Sequence, residues 1–134
     1  MNAFEEIAER LKKHPDLNAS IEPFCITVKA QETNGFDVCV FFENGEYTVG
    51  FDGWHQCFDE SDVESVLNCF AFGLSDSCRI KEFSKNGEPY KWILQSKVEN
   101  NWVNDSTTGL FFFNLFKRTE VRYLQNKIIR INDS

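Results

Sequence analysis

The densest group of side chains that could do chemistry lies between Asp52 and Asp59. His55 and Cys57 are two positions apart, so on a strand both side chains would face the same side. With Asp52 or Asp59 they supply the residue types of a thiol nucleophile, its base and an orienting acid, and Cys69 is an alternative thiol to Cys57. This pattern indicates a candidate hydrolytic pair, although such spacing also arises by accident. We therefore do not assign the chain as an enzyme, and these residues taken together favour a non-enzymatic protein.

The same segment offers ligand types that zinc prefers. His55 and Cys57 are followed by Cys69 and Cys78, but the short Cys-x-x-Cys pairs typical of structural zinc sites are missing. The five cysteines are an odd number and lie mostly within apolar patterns. We therefore expect reduced thiols, with Cys69 and Cys78 in the core, and neither a metal nor another cofactor.

An aromatic ring beside these groups suggests a small-molecule pocket as an alternative. Trp54 lies where a strand is expected to lead into a helix, and pockets often form where a sheet curls under a helix. The candidate lining residues are Trp54, His55, Cys57, Asn68 and Trp92, with Trp102 as an alternative to Trp92. The competing interpretation is that the Trp54 ring packs over the end of the helix.

Carboxylates cluster just after this segment, at Asp59, Glu60, Asp62 and Glu64. Paired acids can bind divalent cations or transfer protons, but these residues flank the start of a predicted helix. Acids there cap the helix and interact favourably with its dipole. No glycine-rich phosphate-binding pattern is present in the sequence.

Two amphipathic helices are predicted to support this region. Asn2 can cap a first helix that ends near His14, before Pro15. Ser61 or Asp62 can cap a second helix that ends near Leu74, with apolar residues along one stripe.

Strand patterns fill the remainder of the chain. Before the second helix we predict strands at 21–30, 36–43 and 46–51, with turns at Asn34-Gly35 and Asn44-Gly45. After it we predict strands at 78–84 and 90–99 joined by Asn86-Gly87, a short extension at 102–103, a polar loop at 104–109, and strands at 110–116 and 118–131.

This order of elements predicts one α+β domain over residues 1–134. It has two helices and an antiparallel sheet of about seven strands in two meanders, in the order α-βββ-α-ββββ. The strand at 110–116 is apolar on both faces and is expected to be central. At a sheet edge it would instead form an interface, such as that of a homodimer.

Charge is distributed unevenly along the chain, whose net charge is −7. Residues 31–78 contain ten acids and no Lys or Arg, whereas residues 79–134 contain ten bases and six acids. The acidic half favours a basic protein partner, with Glu43, Glu46, Asp59 and Glu60 as candidate contacts. The overall acidity argues against nucleic acid as a partner.

The sequence also bears on membranes. No apolar run approaches the roughly 20 residues that span a bilayer, and the first residues form a charged amphipathic pattern rather than a signal peptide. We therefore expect no membrane partner and a cytoplasmic location.

Three segments carry a resemblance to known proteins: Asp-Gly-Trp-His within Phe51–Phe58, Leu-Asn-Cys-Phe-Ala-Phe-Gly-Leu-Ser-Asp-Ser-Cys-Arg at Leu67–Arg79, and Asp-Ser-Thr-Thr-Gly-Leu at Asp105–Leu110. They resemble a family of small bacterial proteins whose members have no assigned activity, so the resemblance implies no catalytic residue. In layout and acidity the chain is also similar to bacterial immunity proteins and type III secretion chaperones, which implies an acidic α+β binding protein.

Overall fold

Two helices and nine strands follow one another in the part of the chain that the structure describes. The computed structural model describes residues 2–109 and 119–128. In chain order the elements are α1 (Ala3–Lys12), β1 (Ala19–Glu22), β2 (Cys25–Val28), β3 (Val38–Glu43), β4 (Glu46–Phe51), β5 (Trp54–Asp59), α2 (Val63–Leu74), β6 (Cys78–Lys85), β7 (Glu88–Val98), β8 (Asn101–Gly109) and β9 (Thr119–Leu124). The predicted α+β class with two helices is confirmed, with two more strands than expected and two sheets instead of one.

Both helices form where the apolar spacing predicted them. Asn2 Oδ1 accepts a hydrogen bond from the Glu5 backbone N–H at 2.9 Å, which confirms the predicted cap of α1. On α2, the side chains of Val66, Phe70 and Leu74 form the buried stripe. Asp62 occupies the N-cap position of α2, but its side chain makes no capping hydrogen bond.

The first sheet is an antiparallel meander of β1 to β5 in chain order. Asn44 and Gly45 both have positive φ in the predicted β3–β4 turn. The single strand predicted at 21–30 is wrong, because the chain turns at Pro23-Phe24 and forms β1 and β2. The fifth strand was not predicted, since only Trp54 and Phe58 on it point away from solvent.

The connection between β2 and β3 is longer than predicted. β2 ends at Val28 and β3 begins at Val38, so Asn34-Gly35 is not a two-residue hairpin turn. The buried side chain of Asn126 holds this connection in place: its Oδ1 accepts from the Phe36 N–H at 3.0 Å. Its Nδ2 donates to the backbone oxygens of Phe36 and Gly73, which ties the connection to the end of α2.

The second sheet has the strand order β8-β7-β6-β9. The predicted turn at Asn86-Gly87 is confirmed, and both residues have positive φ. The polar loop predicted at 104–109 is wrong, because these residues belong to β8, whose polar side chains are compatible with an edge strand. The strand predicted at 110–116 lies outside the described residues. The strand predicted at 118–131 is too long. Among the described residues, the strand in this region is β9, which ends at Leu124.

The helices cover one face of the first sheet, and both sheets contribute to the buried core. Val38, Val49 and Phe51 from the first sheet are fully buried, as is Ile80 from the second. α2 contacts β3, β4 and β6, so it packs against elements of both sheets. Within the described residues, neither helix is long and apolar enough to cross a membrane.

Candidate functional site

Trp54, His55 and Cys57 lie on β5, where successive side chains point to opposite faces of the sheet. The Trp54 side chain is 1% exposed and stacks on Phe51, with ring centroids 4.8 Å apart. His55 and Cys57 are exposed on the opposite face. As predicted, their side chains point to the same side of the strand. The strand therefore separates the Trp54 ring from the two groups that were expected to share a pocket with it.

Polar side chains of β8 contact β5 and join the two sheets. The Trp54 indole Nε1 donates to Ser106 Oγ at 3.0 Å. The His55 backbone N–H donates to Thr108 Oγ1 at 3.3 Å, and that hydroxyl lies 3.4 Å from the His55 backbone oxygen. These hydrogen bonds fasten β5 of the first sheet to β8 of the second.

The other two predicted pocket residues lie elsewhere. Asn68 is exposed on α2, whereas Trp92 on β7 is half-buried. The Trp92 ring packs so closely over Gly53 that a Cβ at this position would overlap the ring. None of the described contacts joins Asn68 to Trp54 or Trp92. The pocket at these residues stays a prediction.

Two carboxyl groups meet at the Trp92 indole. Trp92 Nε1 donates to Glu82 Oε2 at 3.0 Å and to Asp52 Oδ2 at 3.2 Å. Arg122 Nε donates to the other oxygen of Glu82 at 2.9 Å. Asp52 lies in the turn between β4 and β5, whereas Glu82 is a buried residue of β6. This cluster links the turn of the first sheet to three strands of the second.

The pKa values of Asp52 and Glu82 are shifted in opposite directions. Burial, followed by the hydrogen bond and negative charge of Glu82, raises the pKa of Asp52 to about 6. Burial also opposes ionisation of Glu82, but hydrogen bonds with Asp52, Arg122 and Trp92 outweigh it and lower the pKa of Glu82. The pair can therefore hold a proton at mildly acidic pH, with Glu82 as the ionised partner of Arg122.

Sequence reasoning missed this pair, although the strand pattern contained a signal for it. Cys78 and Ile80 alternate with polar residues on β6 and point inward, and Glu82 occupies the next inward position. A carboxylate at an inward position needs hydrogen-bond partners or a counter-ion. The partners come from distant residues, so their identity could not be read from the local pattern.

Replacing Asp52 with asparagine is expected to flatten the pH dependence of stability. Because the folded-state pKa of Asp52 is raised, its contribution is greatest below pH 4 and is lost as the pH rises through about 6. The rise of the Asp52 pKa from its ordinary value to about 6 corresponds to about 3 kcal/mol without screening, and partial exposure reduces the expected effect to about 1 kcal/mol. The asparagine side chain would keep an acceptor for Trp92 and tolerate the φ of 56° at this position.

The measurement is urea unfolding of the parent and the Asp52→Asn variant between about pH 4 and pH 8. The variant should be more stable relative to the parent at pH 8 than at pH 4. The effect of Glu82 on the pH dependence of stability is opposite to that of Asp52. Because its pKa is lowered, Glu82 contributes stability that is lost as the pH falls, in both the parent and the variant. Asp16→Asn removes one exposed charge and serves as the control. Parallel pH curves for the parent and Asp52→Asn would contradict the assignment.

The buried cysteines are poorly suited to act as nucleophiles. Burial raises the pKa of Cys69 to about 12, and burial also raises the pKa of Cys78. Cys57 is exposed, and its Sγ lies 3.4 Å from Thr48 Oγ1. All five cysteines are unpaired, and no group of three or more potential metal ligands occurs among the described residues.

The strand register brings three of the predicted partner-binding acids into one line. Glu43 on β3 lies opposite Glu46 on β4, and Glu46 lies opposite Asp59 on β5. We call these three residues the acidic row. All three are exposed, and Glu60 follows directly after Asp59. None of them forms an ion pair among the described residues.

An aromatic depression lies at the same end of the first sheet, and its strand residues Phe42 and Tyr47 point to the face opposite the acidic row. Its open volume is about 500 Å³, and its wall includes Phe4, Phe24, Phe42 and Tyr47. Phe24 is 66% exposed, and the Phe4 and Phe42 rings pack against Tyr47 with centroid distances of 5.5 and 4.9 Å. The carboxylates that line it are those of Glu5 and Glu60, and Lys and Arg are absent from the described lining.

Comparisons of this chain with models of protein families, with curated proteins and with solved structures found no match.

Proposed function

We propose that this protein is a non-enzymatic binding domain that engages a basic protein partner through the end of the first sheet that carries the acidic row on one face and the aromatic depression on the other. The observation that carries the proposal is the alignment of Glu43, Glu46 and Asp59 across three adjacent strands. Hydrogen bonds from Ser61 lower the pKa of Asp59, so this member of the row is held as a carboxylate.

This arrangement is unfavourable for the isolated sheet. Like charges directly opposite each other on neighbouring strands destabilise the pairing by up to about 1 kcal/mol. Lys or Arg side chains of a partner would relieve the repulsion on binding. The same field would accelerate association at low ionic strength, because charges of one sign attract an oppositely charged partner before contact.

The aromatic depression gives the partner a second chemical property. Phe24 and Phe42 offer apolar surface beside the Glu60 carboxylate, so the best occupant is a segment in which an aromatic side chain has Lys or Arg neighbours. Partial burial of Phe24, which is 66% exposed, would then add a hydrophobic contribution to the electrostatic one. The raised pKa values of Cys69 and Cys78 are consistent with a non-enzymatic role.

The test is stopped-flow association with a labelled peptide that alternates Lys and Phe. Reversing Glu43, Glu46, Asp59 and Glu60 to Lys is expected to lower the on-rate at least about tenfold at low salt. The parent's on-rate should fall as salt rises, since exposed charges are screened. Far-ultraviolet circular dichroism would check that the fold is retained.

A matched control changes the same total charge elsewhere. Glu9, Glu32, Glu88 and Glu120 are exposed and lie outside the acidic row and the depression. Their reversal to Lys should leave most of the on-rate intact. An equal loss of on-rate in the two variants would show that the effect comes from net charge alone and would overturn the proposed site. A peptide that alternates Lys and Gly should bind more weakly than the Lys-Phe peptide, and equal affinity would exclude the depression.

A further inference from the structure

The outer face of the second sheet combines cations with aromatic rings. Cys78, Ile80 and Glu82 on β6 point inward and are buried, so Arg79, Lys81 and Phe83 point outward. The register extends this face across β7, where Gln95 lies opposite Arg79 and Lys91 lies opposite Phe83. It continues to Trp102 on β8, opposite Lys97, and to Tyr123 on β9, opposite Lys81.

Charge on this face differs from that of the whole chain. Its cations are Arg79, Lys81, Lys91 and Lys97, and the rows between them carry no Asp or Glu. None of the four cations forms an ion pair with a described carboxylate. We call these four cations, together with Phe83, Trp102 and Tyr123, the basic face. A chain with a net charge of −7 therefore presents one sheet surface of positive charge.

Three of the four cations of the basic face, Arg79, Lys81 and Lys91, lie against aromatic rings. The Arg79 guanidinium carbon is 4.4 Å from the centre of the Trp102 ring and 4.2 Å from that of Tyr123. Lys91 Nζ lies 4.3 Å from the Phe83 centroid. These distances fall within the range of cation–π attraction. The side chains therefore support each other and form a platform rather than a set of independent lysines.

Hydrogen bonds also orient the central guanidinium. Arg79 Nε donates to Gln95 Oε1 at 2.6 Å, and Gln95 Nε2 donates to Asn104 Oδ1 at 2.8 Å. The guanidinium therefore holds the Trp102 and Tyr123 rings in place, and the exposed amide of Asn104 can bind polar edges of a ligand. Tyr123 is 46% exposed, so part of the platform faces solvent.

We infer that the basic face binds single-stranded nucleic acid, a function beyond the proposed recognition of a basic protein. Single strands are bound where cations track the phosphates and where aromatic rings or Arg planes stack on unpaired bases. An acidic polypeptide would satisfy the cations but has no planar bases to stack on Trp102 and Tyr123. The combination therefore favours a single-stranded nucleic acid over an acidic protein.

The net negative charge of the chain does not prevent nucleic acid from binding at the basic face. The acidic row lies at one end of the first sheet, whereas the basic face belongs to the second sheet. Exposed charges separated by more than about 10 Å are largely screened at about 0.1 M salt. The prediction against nucleic acid rested on the charge of the whole chain, and an interface responds mainly to the charges within it.

The test is fluorescence anisotropy of labelled oligo-dT and oligo-U of about 20 nucleotides, titrated with the protein at salt concentrations from about 50 to 300 mM. The parent should bind with an affinity that falls as salt rises. A variant with Lys81→Ala and Lys91→Ala should lose about tenfold in affinity, and its salt slope should decrease by about 0.7 for each lost phosphate contact.

Matched variants separate this site from charge effects in general. Lys12→Ala with Lys13→Ala removes two exposed positive charges from the end of α1 and should leave the affinity nearly unchanged. Trp102→Ala should weaken binding about five- to tenfold with an unchanged salt slope, and Trp102→Phe should restore most of it. Circular dichroism and urea unfolding would establish that each variant is folded.

Four results would overturn the inference. They are no binding at about 50 mM salt, equal losses in the two double-lysine variants, tighter binding of a duplex of the same length, and binding of poly-glutamate as tight as that of oligo-dT. The last result, with an unaffected Trp102→Ala variant, would identify a general polyanion surface. Binding of the Lys-Phe peptide to the same variants would test the acidic row independently. The proposed site of that peptide is on the first sheet, so substitutions on the basic face should leave its binding unchanged.

Discussion

Replacing Trp54 with alanine is expected to lower the free energy of unfolding by about 3–5 kcal/mol, the usual loss for a buried large aromatic residue. Trp54 is the largest of the fully buried side chains. The substitution removes its stacking on Phe51 and leaves Ser106 without the indole donor. Urea unfolding followed by circular dichroism would measure the loss.

Two further variants divide this effect into its parts. Ser106→Ala removes the hydrogen-bond acceptor but keeps the ring, and should cost about 1 kcal/mol. Trp102→Ala removes a half-buried tryptophan of the second sheet and should cost much less than Trp54→Ala. A loss below about 1.5 kcal/mol for Trp54→Ala would show that this ring does not hold the two sheets together.

Replacing Gly73 with alanine is also expected to destabilise the protein, by at least about 2 kcal/mol, although alanine is the better helix former. A Cβ on Gly73 would overlap Cε1 of the Phe51 ring. Phe51 is fully buried and stacks on Trp54, so its ring has little room to move. Steric overlap in the core should therefore outweigh the gain of about 1 kcal/mol in helix propensity.

The size of the Phe51 side chain provides the decisive comparison. Combining Gly73→Ala with Phe51→Leu should cost less than the sum of the two single substitutions, because the smaller side chain makes room for the new methyl group. Ser65→Ala on the same helix is a control for helix propensity alone and should have a small effect. A Gly73→Ala variant as stable as the parent would contradict the packing described for α2.

Gly73, Trp54 and Ser106 belong to one series of packing contacts. They lie on α2, β5 and β8, respectively. Gly73 contacts Phe51, and Trp54 contacts both Phe51 and Ser106. These contacts pack α2 against the first sheet and the first sheet against the second.

Local sequence determined the elements whose signals are contained within a few residues. Asn2 and the apolar spacing after it specify α1, because both the cap and the buried stripe are local. Asn44-Gly45 and Asn86-Gly87 specify two hairpins, because these residue types tolerate positive φ. The acids later found in the acidic row were also selected from sequence, through the excess charge of residues 31–78.

Only the tertiary structure decided which strands pair and which side chains share a surface. β5 and β8 carry mostly polar, exposed side chains, so local alternation missed β5 and identified only 102–103 of β8, and each forms through backbone pairing with a neighbour. Glu82 meets Asp52 and Arg122 only because β6 pairs with β9 and faces the turn after β4. The basic face likewise depends on the register of four strands, which net charge does not specify. Long-range pairing therefore fixed the arrangement of groups whose types were already present in the sequence.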